Sequence, residues 1–174
     1  ILERAELVIE HLRHWRNWNE TDGGPLGSDF EAALDLSRIG LVGHSRGGDA
    51  VSHVPTLLQA NPEDGITVES VFSIAPTDFH DAEVRDTHYA TLLPACDGDV
   101  ASLSGREIYD RSVRDDNPVL QAQALYMGAN HNFFSTEWAY NDGNWVCSDE
   151  ELVGKHAQRS WLESTLGPWF HGTL

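Results

Sequence analysis

The segment Gly43–Gly47, which reads Gly-His-Ser-Arg-Gly, has the residue types and spacing to carry a serine nucleophile. In the pattern Gly-x-Ser-x-Gly the serine occupies a strained turn between a buried strand and a helix, so that its hydroxyl stands clear of the sheet. Glycines on both sides let the strand and the helix pass close to the turn. The backbone N–H of Arg46 would point to the place where an oxyanion forms. The segment therefore predicts nucleophilic chemistry at Ser45.

A serine hydroxyl is a weak nucleophile, so it needs a general base, and the base needs an acid to orient it. In folds with this turn the acid and the histidine follow the serine in that order, each in a loop after a strand. His131 lies in the loop that follows an apolar run ending at Met127. The later histidines, His156 and His171, fall in or after the last predicted helix. His131 is therefore the predicted base.

Two aspartates compete for the role of the acid. The third predicted strand ends at Ala95, and Asp97 and Asp99 follow it. Gly98 between them lets either side chain turn inward. Asp97 lies closer to the end of the strand, which favours it, but the spacing leaves Asp99 open.

The two cysteines flank these predicted loops. Cys96 adjoins the candidate acids, and Cys147 lies in the loop after the candidate base. A disulfide between them would tie the two loops together and would favour a secreted or periplasmic location, because disulfides need an oxidising compartment. Two separate thiols are the alternative, and nothing else in the sequence indicates the compartment.

The apolar periodicity predicts strands alternating with helices. Buried strands in this alternation indicate an α/β fold with a mostly parallel sheet and helices on both faces, in one domain over residues 1–174. The predicted helices cover residues 1–18, 47–60, 105–113 and 150–169, and the predicted strands cover residues 38–43, 68–75, 89–95 and 119–127. Pro55 predicts a kink or an early break in the second helix.

The charge of the chain is strongly negative, with 28 acidic against 11 basic residues and a formal net charge of -17. Such a surface repels phosphate backbones, so we do not expect nucleic-acid binding. No apolar run approaches the length of a membrane span. The charge favours solubility, and adaptation to a salty medium is a second interpretation.

Three segments together resemble the α/β-hydrolase superfamily: Gly-His-Ser-Arg-Gly-Gly (43–48), Leu-Pro-Ala-Cys-Asp-Gly-Asp-Val (93–100) and Gly-Ala-Asn-His-Asn-Phe-Phe (128–134). The branch they most resemble contains bacterial esterases similar to dienelactone hydrolases, chlorophyllases and bacterial cutinases. The resemblance implies cleavage of a small-molecule or polymer ester by Ser45, His131 and Asp97, without a metal or an organic cofactor. Pro94, Asp97 and Val100 fit the superfamily pattern Gly-x-x-Asp-x-x-Val with Pro in place of Gly.

The chain departs from this family before the serine. Family members carry several strands there, and a loop among them supplies the second oxyanion donor. We therefore expect the C-terminal half of the fold, with an N-terminal half missing and with a sheet edge and an apolar face exposed.

Three functions are compatible with these sequence features. The first is an ester hydrolase, whose acyl pocket could be lined by aromatic residues of the loop after His131. The second is a non-catalytic or incomplete hydrolase-like binding or scaffold module. The third is amide hydrolysis or acyl transfer by the same triad. The aromatic residues, which could equally serve to pack that loop, are Phe133, Phe134, Trp138, Tyr140 and Trp145.

Overall fold

The computed structural model describes residues 1–63, 65–113 and 118–174 and has an α/β fold. Its four strands form one parallel sheet in the order β1-β2-β3-β4, so the predicted fold class is confirmed. The elements in chain order are α1 (Leu2–Glu20), β1 (Ile39–His44), α2 (Arg46–Ala60), β2 (Val68–Ile74), β3 (His88–Pro94), α3 (Gly105–Ser112), β4 (Gln121–Tyr126) and α4 (Lys155–Thr173).

Helices cover both faces of the sheet because neighbouring strand residues point to opposite sides. Val71 of β2 packs into a core with apolar residues of α1, α2 and α3. Phe72, the next residue, points to the other side and packs into a second core with residues of α4. The two cores hold the sheet rigid between the helix layers, which makes it a fixed base for the loops at its ends.

All four strands end on the same side of the sheet, at its carboxyl edge. His44 at the end of β1 is in register with Ile74 of β2, and Ile74 is in register with Leu92 of β3. Pro94 at the end of β3 pairs with Tyr126 at the end of β4. Because all four strands are parallel, Ser45, Asp97 and His131 all emerge at the same edge.

One predicted helix boundary was wrong, and one of two alternatives predicted at Pro55 does not occur. The last helix begins at Lys155 rather than at residue 150, because residues 150–154 are held as a turn by a hydrogen bond from Val153 N to Gly128 O (2.8 Å). The predicted early break at Pro55 does not occur, and α2 runs on to Ala60. Burial of Val54 and Leu58 against the sheet offsets the hydrogen bond that a helical proline removes.

Both outer strands of the sheet, β1 and β4, carry exposed apolar residues. Val42 of β1 is 51% exposed, and Leu125 of β4 is 53% exposed. Within the described ranges, no helix has both the length and the apolar character needed to cross a bilayer.

Leu93 and Leu125 are direct neighbours across β3 and β4 and offer a matched test of the core. Leu93 is 4% exposed, so Leu93→Ala should lower the free energy of unfolding by about 2–5 kcal/mol through lost burial and a cavity. Leu125→Ala on the open edge should cost about 1 kcal/mol or less. Urea titration followed by circular dichroism measures both changes, and equal losses would contradict this description of the core.

Candidate active site

Ser45 occupies a strained turn between β1 and α2. Its φ of 58° lies in the left-handed region that side chains rarely adopt. A Cβ on Gly43 would lie 2.2 Å from the carbonyl oxygen of Gly47, so only glycine allows the strand and helix to approach this closely. Ser45 N also donates a hydrogen bond to Ile74 O (2.9 Å), which fastens the turn to β2.

Arg46 is the first residue of α2. The N–H groups of the first helical turn have no acceptor within the helix, and they carry the positive end of the helix dipole. The Arg46 N–H therefore has no acceptor within α2, and it lies next to the serine at the start of the helix.

Asp97 is buried at the end of β3, with 1% of its surface exposed. Its Oδ1 accepts hydrogen bonds from the backbone N–H groups of Asp99 (3.0 Å) and Val100 (2.6 Å). Its Oδ2 lies 2.9 Å from Nδ1 of His131. Since an ionised carboxylate only accepts, Nδ1 carries the proton and Nε2 is the basic nitrogen of the neutral ring.

Asp99, the other candidate acid, lies elsewhere around the ring. Its side chain is 66% exposed, and its Oδ2 lies 3.4 Å from Nε2 of His131. The structure thus puts the two aspartates against opposite nitrogens of His131. Only Asp97 is buried and bonded to the nitrogen that an orienting acid must hold.

His131 reaches back across the sheet from the end of β4. The strand order separates β4 from β1 by three strand spacings, or about 14 Å. The loop nevertheless brings the His131 ring to 4.5 Å from the ring of His44, the residue before Ser45. Nε2 is buried and makes no hydrogen bond within the described residues, so no bond joins it to Ser45.

The two imidazoles, whose planes are tilted by 41°, have opposite electrostatic surroundings. Burial and repulsion from His131 lower the pKa of His44 to about 4. Burial alone would lower the pKa of His131, but the hydrogen bond and charge of Asp97, with the charges of Asp99 and Asp142, raise it above its ordinary value. His44 is therefore neutral at neutral pH, and His131 binds the proton more readily.

The predicted disulfide between Cys96 and Cys147 is present, with a Cα–Cα distance of 5.5 Å. A second close contact lies beside it. A Cβ on Gly98 would lie 2.3 Å from the Cα of Gly143, so the two backbones touch. The acid loop and the distal part of the base loop are therefore joined both covalently and by packing.

Asp142 is a third link between the loops, and the sequence reasoning missed it. Its carboxylate accepts hydrogen bonds from the backbone N–H groups of Gly98 (2.7 Å), His131 (3.4 Å) and Asn132 (3.0 Å). Asp142-Gly143 is a turn signal in the sequence, which explains why it suggested nothing more. Asp142 positions the backbone on both sides of the Asp97–His131 pair.

Gln158 of α4 was also missed, although it is fully buried. Its side chain makes a reciprocal pair of hydrogen bonds with the backbone of Asn130, at 3.1 Å from Asn130 N and 2.8 Å to Asn130 O. Arg159 adds a bond from its Nε to Phe133 O (2.9 Å). Helix α4 therefore holds the backbone on both sides of His131 by hydrogen bonds, which only the tertiary structure reveals.

Asp49, in the first turn of α2, binds the segment that follows β2. It is fully buried and accepts hydrogen bonds from Thr77 Oγ1 (2.9 Å) and Phe79 N (3.0 Å). Although burial raises it, bonds from His53, Phe79 and Thr77 hold the pKa of Asp49 below its ordinary value. This carboxylate holds the segment after β2 against the start of the helix that Ser45 caps.

The aromatic residues of the base loop divide into different surroundings. Phe134 packs edge-on against the His44 ring at 6.0 Å, whereas Trp145 is 70% exposed. Trp138 and Tyr140 line a cavity of about 260 Å³ together with His131. The other residues that line it are Gly98, Asp99, Asn132 and Asp142.

The chemistry available here is that of serine, histidine and aspartate. In the part of the chain that the structure describes, no group of three or more His, Cys, Asp or Glu side chains is arranged to hold a metal ion. The buried carboxylate of Asp97 orients His131. The His131 ring contacts His44, which directly precedes the strained Ser45.

Comparisons with known proteins give little further information. No family model matches the sequence, and no curated protein matches it. One solved structure that resembles it is described as a "Putative hydrolase" from Agrobacterium vitis S4. The two are 13% identical with a TM-score of 0.47, and the match covers 71% of this chain and 61% of that one. The chain thus spans about three fifths of that protein, and the fold assignment rests on the strand order itself.

The two imidazoles should titrate on opposite sides of the ordinary histidine value. In NMR spectra of ¹⁵N-histidine-labelled protein, His44 should stay neutral until the pH falls to about 4. His131 should take up its proton at a pH above the ordinary histidine pKa of about 6.5. In Asp97→Asn the His131 transition should move to lower pH, because the attracting charge is gone. A single shared transition near the ordinary value would contradict the described packing.

Proposed function

We propose that the chain is the catalytic part of a serine hydrolase of the α/β-hydrolase type and that it cleaves carboxylic esters through an acyl-enzyme. One observation supports this most directly: a buried Asp97–His131 hydrogen bond lies at the same sheet edge as a serine with positive φ. Strain of this kind is retained where function requires it. The Gly-x-Ser-x-Gly context and the strand-end position of each residue agree with it.

In the proposed mechanism, His131 Nε2 takes the proton of the Ser45 hydroxyl as its oxygen attacks the ester carbonyl. The carbonyl oxygen becomes an oxyanion, to which the Arg46 N–H donates a hydrogen bond. Asp97 keeps the proton on Nδ1 and stabilises the charged ring. His131 then gives its proton to the leaving alcohol, and the acyl group stays on Ser45.

In the second half of the reaction, a water molecule gives a proton to His131 Nε2 and attacks the acyl carbon. The bond to Ser45 breaks, and the proton returns to the serine oxygen. The carboxylic acid leaves, and the enzyme is restored. Because only neutral His131 can act as base, the rate should rise with pH through the raised pKa of His131.

One observation favours a non-catalytic module instead. His131 Nε2 makes no hydrogen bond among the described residues, so the contact between base and nucleophile is not formed. Catalytic hydrogen bonds are often long without substrate and tighten in the complex, so this geometry is also compatible with an enzyme. A probe of serine reactivity separates the two functions.

Treatment with a fluorophosphonate should give one covalent adduct, on Ser45, seen by intact-mass spectrometry and peptide mapping. The probe needs a serine activated by a base, so Ser45→Ala and His131→Ala should both prevent labelling. Ser135→Ala, in the same loop as His131, is a matched control that should label normally. A folded wild-type chain that takes up no probe would rule out catalysis by this polypeptide and favour the binding module.

The two aspartates should differ in their effect on turnover of a simple ester such as p-nitrophenyl butyrate. Asp97→Asn removes the charge that orients and stabilises the ring, so kcat should fall by about 100-fold to 10,000-fold. Asp99→Asn should lower kcat at least tenfold less, since Asp99 is exposed and does not contact Nδ1. A larger loss in Asp99→Asn would reverse the assignment. Circular dichroism checks that both variants fold.

A further inference from the structure

We propose that the cavity beside His131 binds the alcohol part of the ester and selects an alcohol that carries a positive charge, such as a quaternary ammonium group. This inference rests on the proposed function, because it assigns a substrate class to the same site. It follows from where the base must release its proton and from which groups line the space next to it.

The position of the cavity identifies it with the leaving group. In ester cleavage His131 Nε2 passes its proton to the leaving oxygen, so the alcohol must lie within hydrogen-bond reach of Nε2. The opposite nitrogen is occupied by Asp97. Nε2 lies 3.4 Å from Asp99 Oδ2, and both residues line the cavity. The alcohol side of the substrate therefore lies toward Asp99.

The lining has the charge and the surfaces to attract a cation. It includes two carboxylates, those of Asp99 and Asp142, and neither lysine nor arginine. Asp142 already accepts three backbone N–H groups, whereas the side chain of Asp99, which also lines the cavity, is 66% exposed. Among the described residues, its ionic contact is with His131 alone.

The aromatic rings supply the second part of a cation site. Trp138 is 50% exposed and Tyr140 is 64% exposed, although both are large aromatic side chains. The face of an aromatic ring attracts a cation, and indole does so most strongly. A carboxylate and two rings around one space suit an organic cation better than a neutral alkyl group. The overall charge of -17 would also draw cations toward the surface.

A buried atom without a hydrogen bond also points to a ligand. His131 is 1% exposed, and its Nε2 makes no hydrogen bond within the described residues. Buried polar atoms nearly always have a partner, so this nitrogen is set to receive one. The cavity of about 260 Å³ is smaller than a typical pocket for a drug-sized ligand, roughly 300–1,000 Å³, which fits a small alcohol.

Two esters of the same shape test the inference: butyrylcholine and 3,3-dimethylbutyl butyrate. They share the acyl group, and the second replaces the charged nitrogen by carbon. We expect kcat/KM to be about tenfold higher for the charged ester, because a cation gains from the carboxylate and the rings. The preference should shrink as salt is added, since ions screen exposed charges.

Variants test which residues cause the preference for the charged ester. Trp138→Leu and Asp99→Asn should each lower the ratio of the two kcat/KM values by about threefold or more, measured on the pH plateau because Asp99 also influences His131. Trp145→Leu, on the same loop but away from the lining, is the matched control and should keep the wild-type ratio. A ratio near one in the wild type, or an equal fall in all three variants, would overturn the inference.

The failure of this inference and the failure of the proposed function look different. If Ser45 is labelled and p-nitrophenyl butyrate is cleaved while the charged ester is not preferred, only the cation site is wrong. If Ser45 is not labelled and no ester is cleaved, the proposed function is wrong and the cation site falls with it.

Discussion

The buried hydrogen bond between Asp97 and His131 is the contact on which the candidate site depends. A carboxylate with 1% exposure is tolerated only when its oxygens are satisfied, and two backbone N–H groups and one imidazole satisfy them here. The partners come from loops after two different strands. Much of the surrounding structure therefore serves to keep two loops in one relative position.

That position is maintained by several independent links. The disulfide joins the loops covalently, and Asp142 accepts hydrogen bonds from the backbone of both loops. Gln158 of α4 bonds to the backbone of Asn130, the residue before the histidine. Each link acts on backbone rather than on the reacting side chains. The main chains of Asp97 and His131 are thus held in place, and the hydrogen bond between their side chains is kept.

The sequence predicted what depends on local pattern. The alternation of strands and helices, the strained serine turn and the pairing of the cysteines all have local signals, and the structure bears out the fold class and the disulfide. The sequence favoured Asp97 over Asp99 but left both open, because the choice depends on which carboxylate the folded loop buries. Asp142 and Gln158 were invisible for a related reason: they act on backbone groups distant in sequence, and nothing in residue type marks such a partner. The start of the last helix was misplaced because a bond from Val153 to Gly128 competes with the helical pattern.

The strand that leads into the serine, β1, is also an outer strand of the sheet. β1 pairs with β2 on one side, and its other side offers backbone donors and acceptors that an incoming strand could use as a template. A strand added there would extend the sheet directly beside Ser45 and restrict the turn in which the strain is stored. Assembly at this outer strand would therefore change the conformational freedom of Ser45. The association state of the chain and the reactivity of its serine would then be coupled.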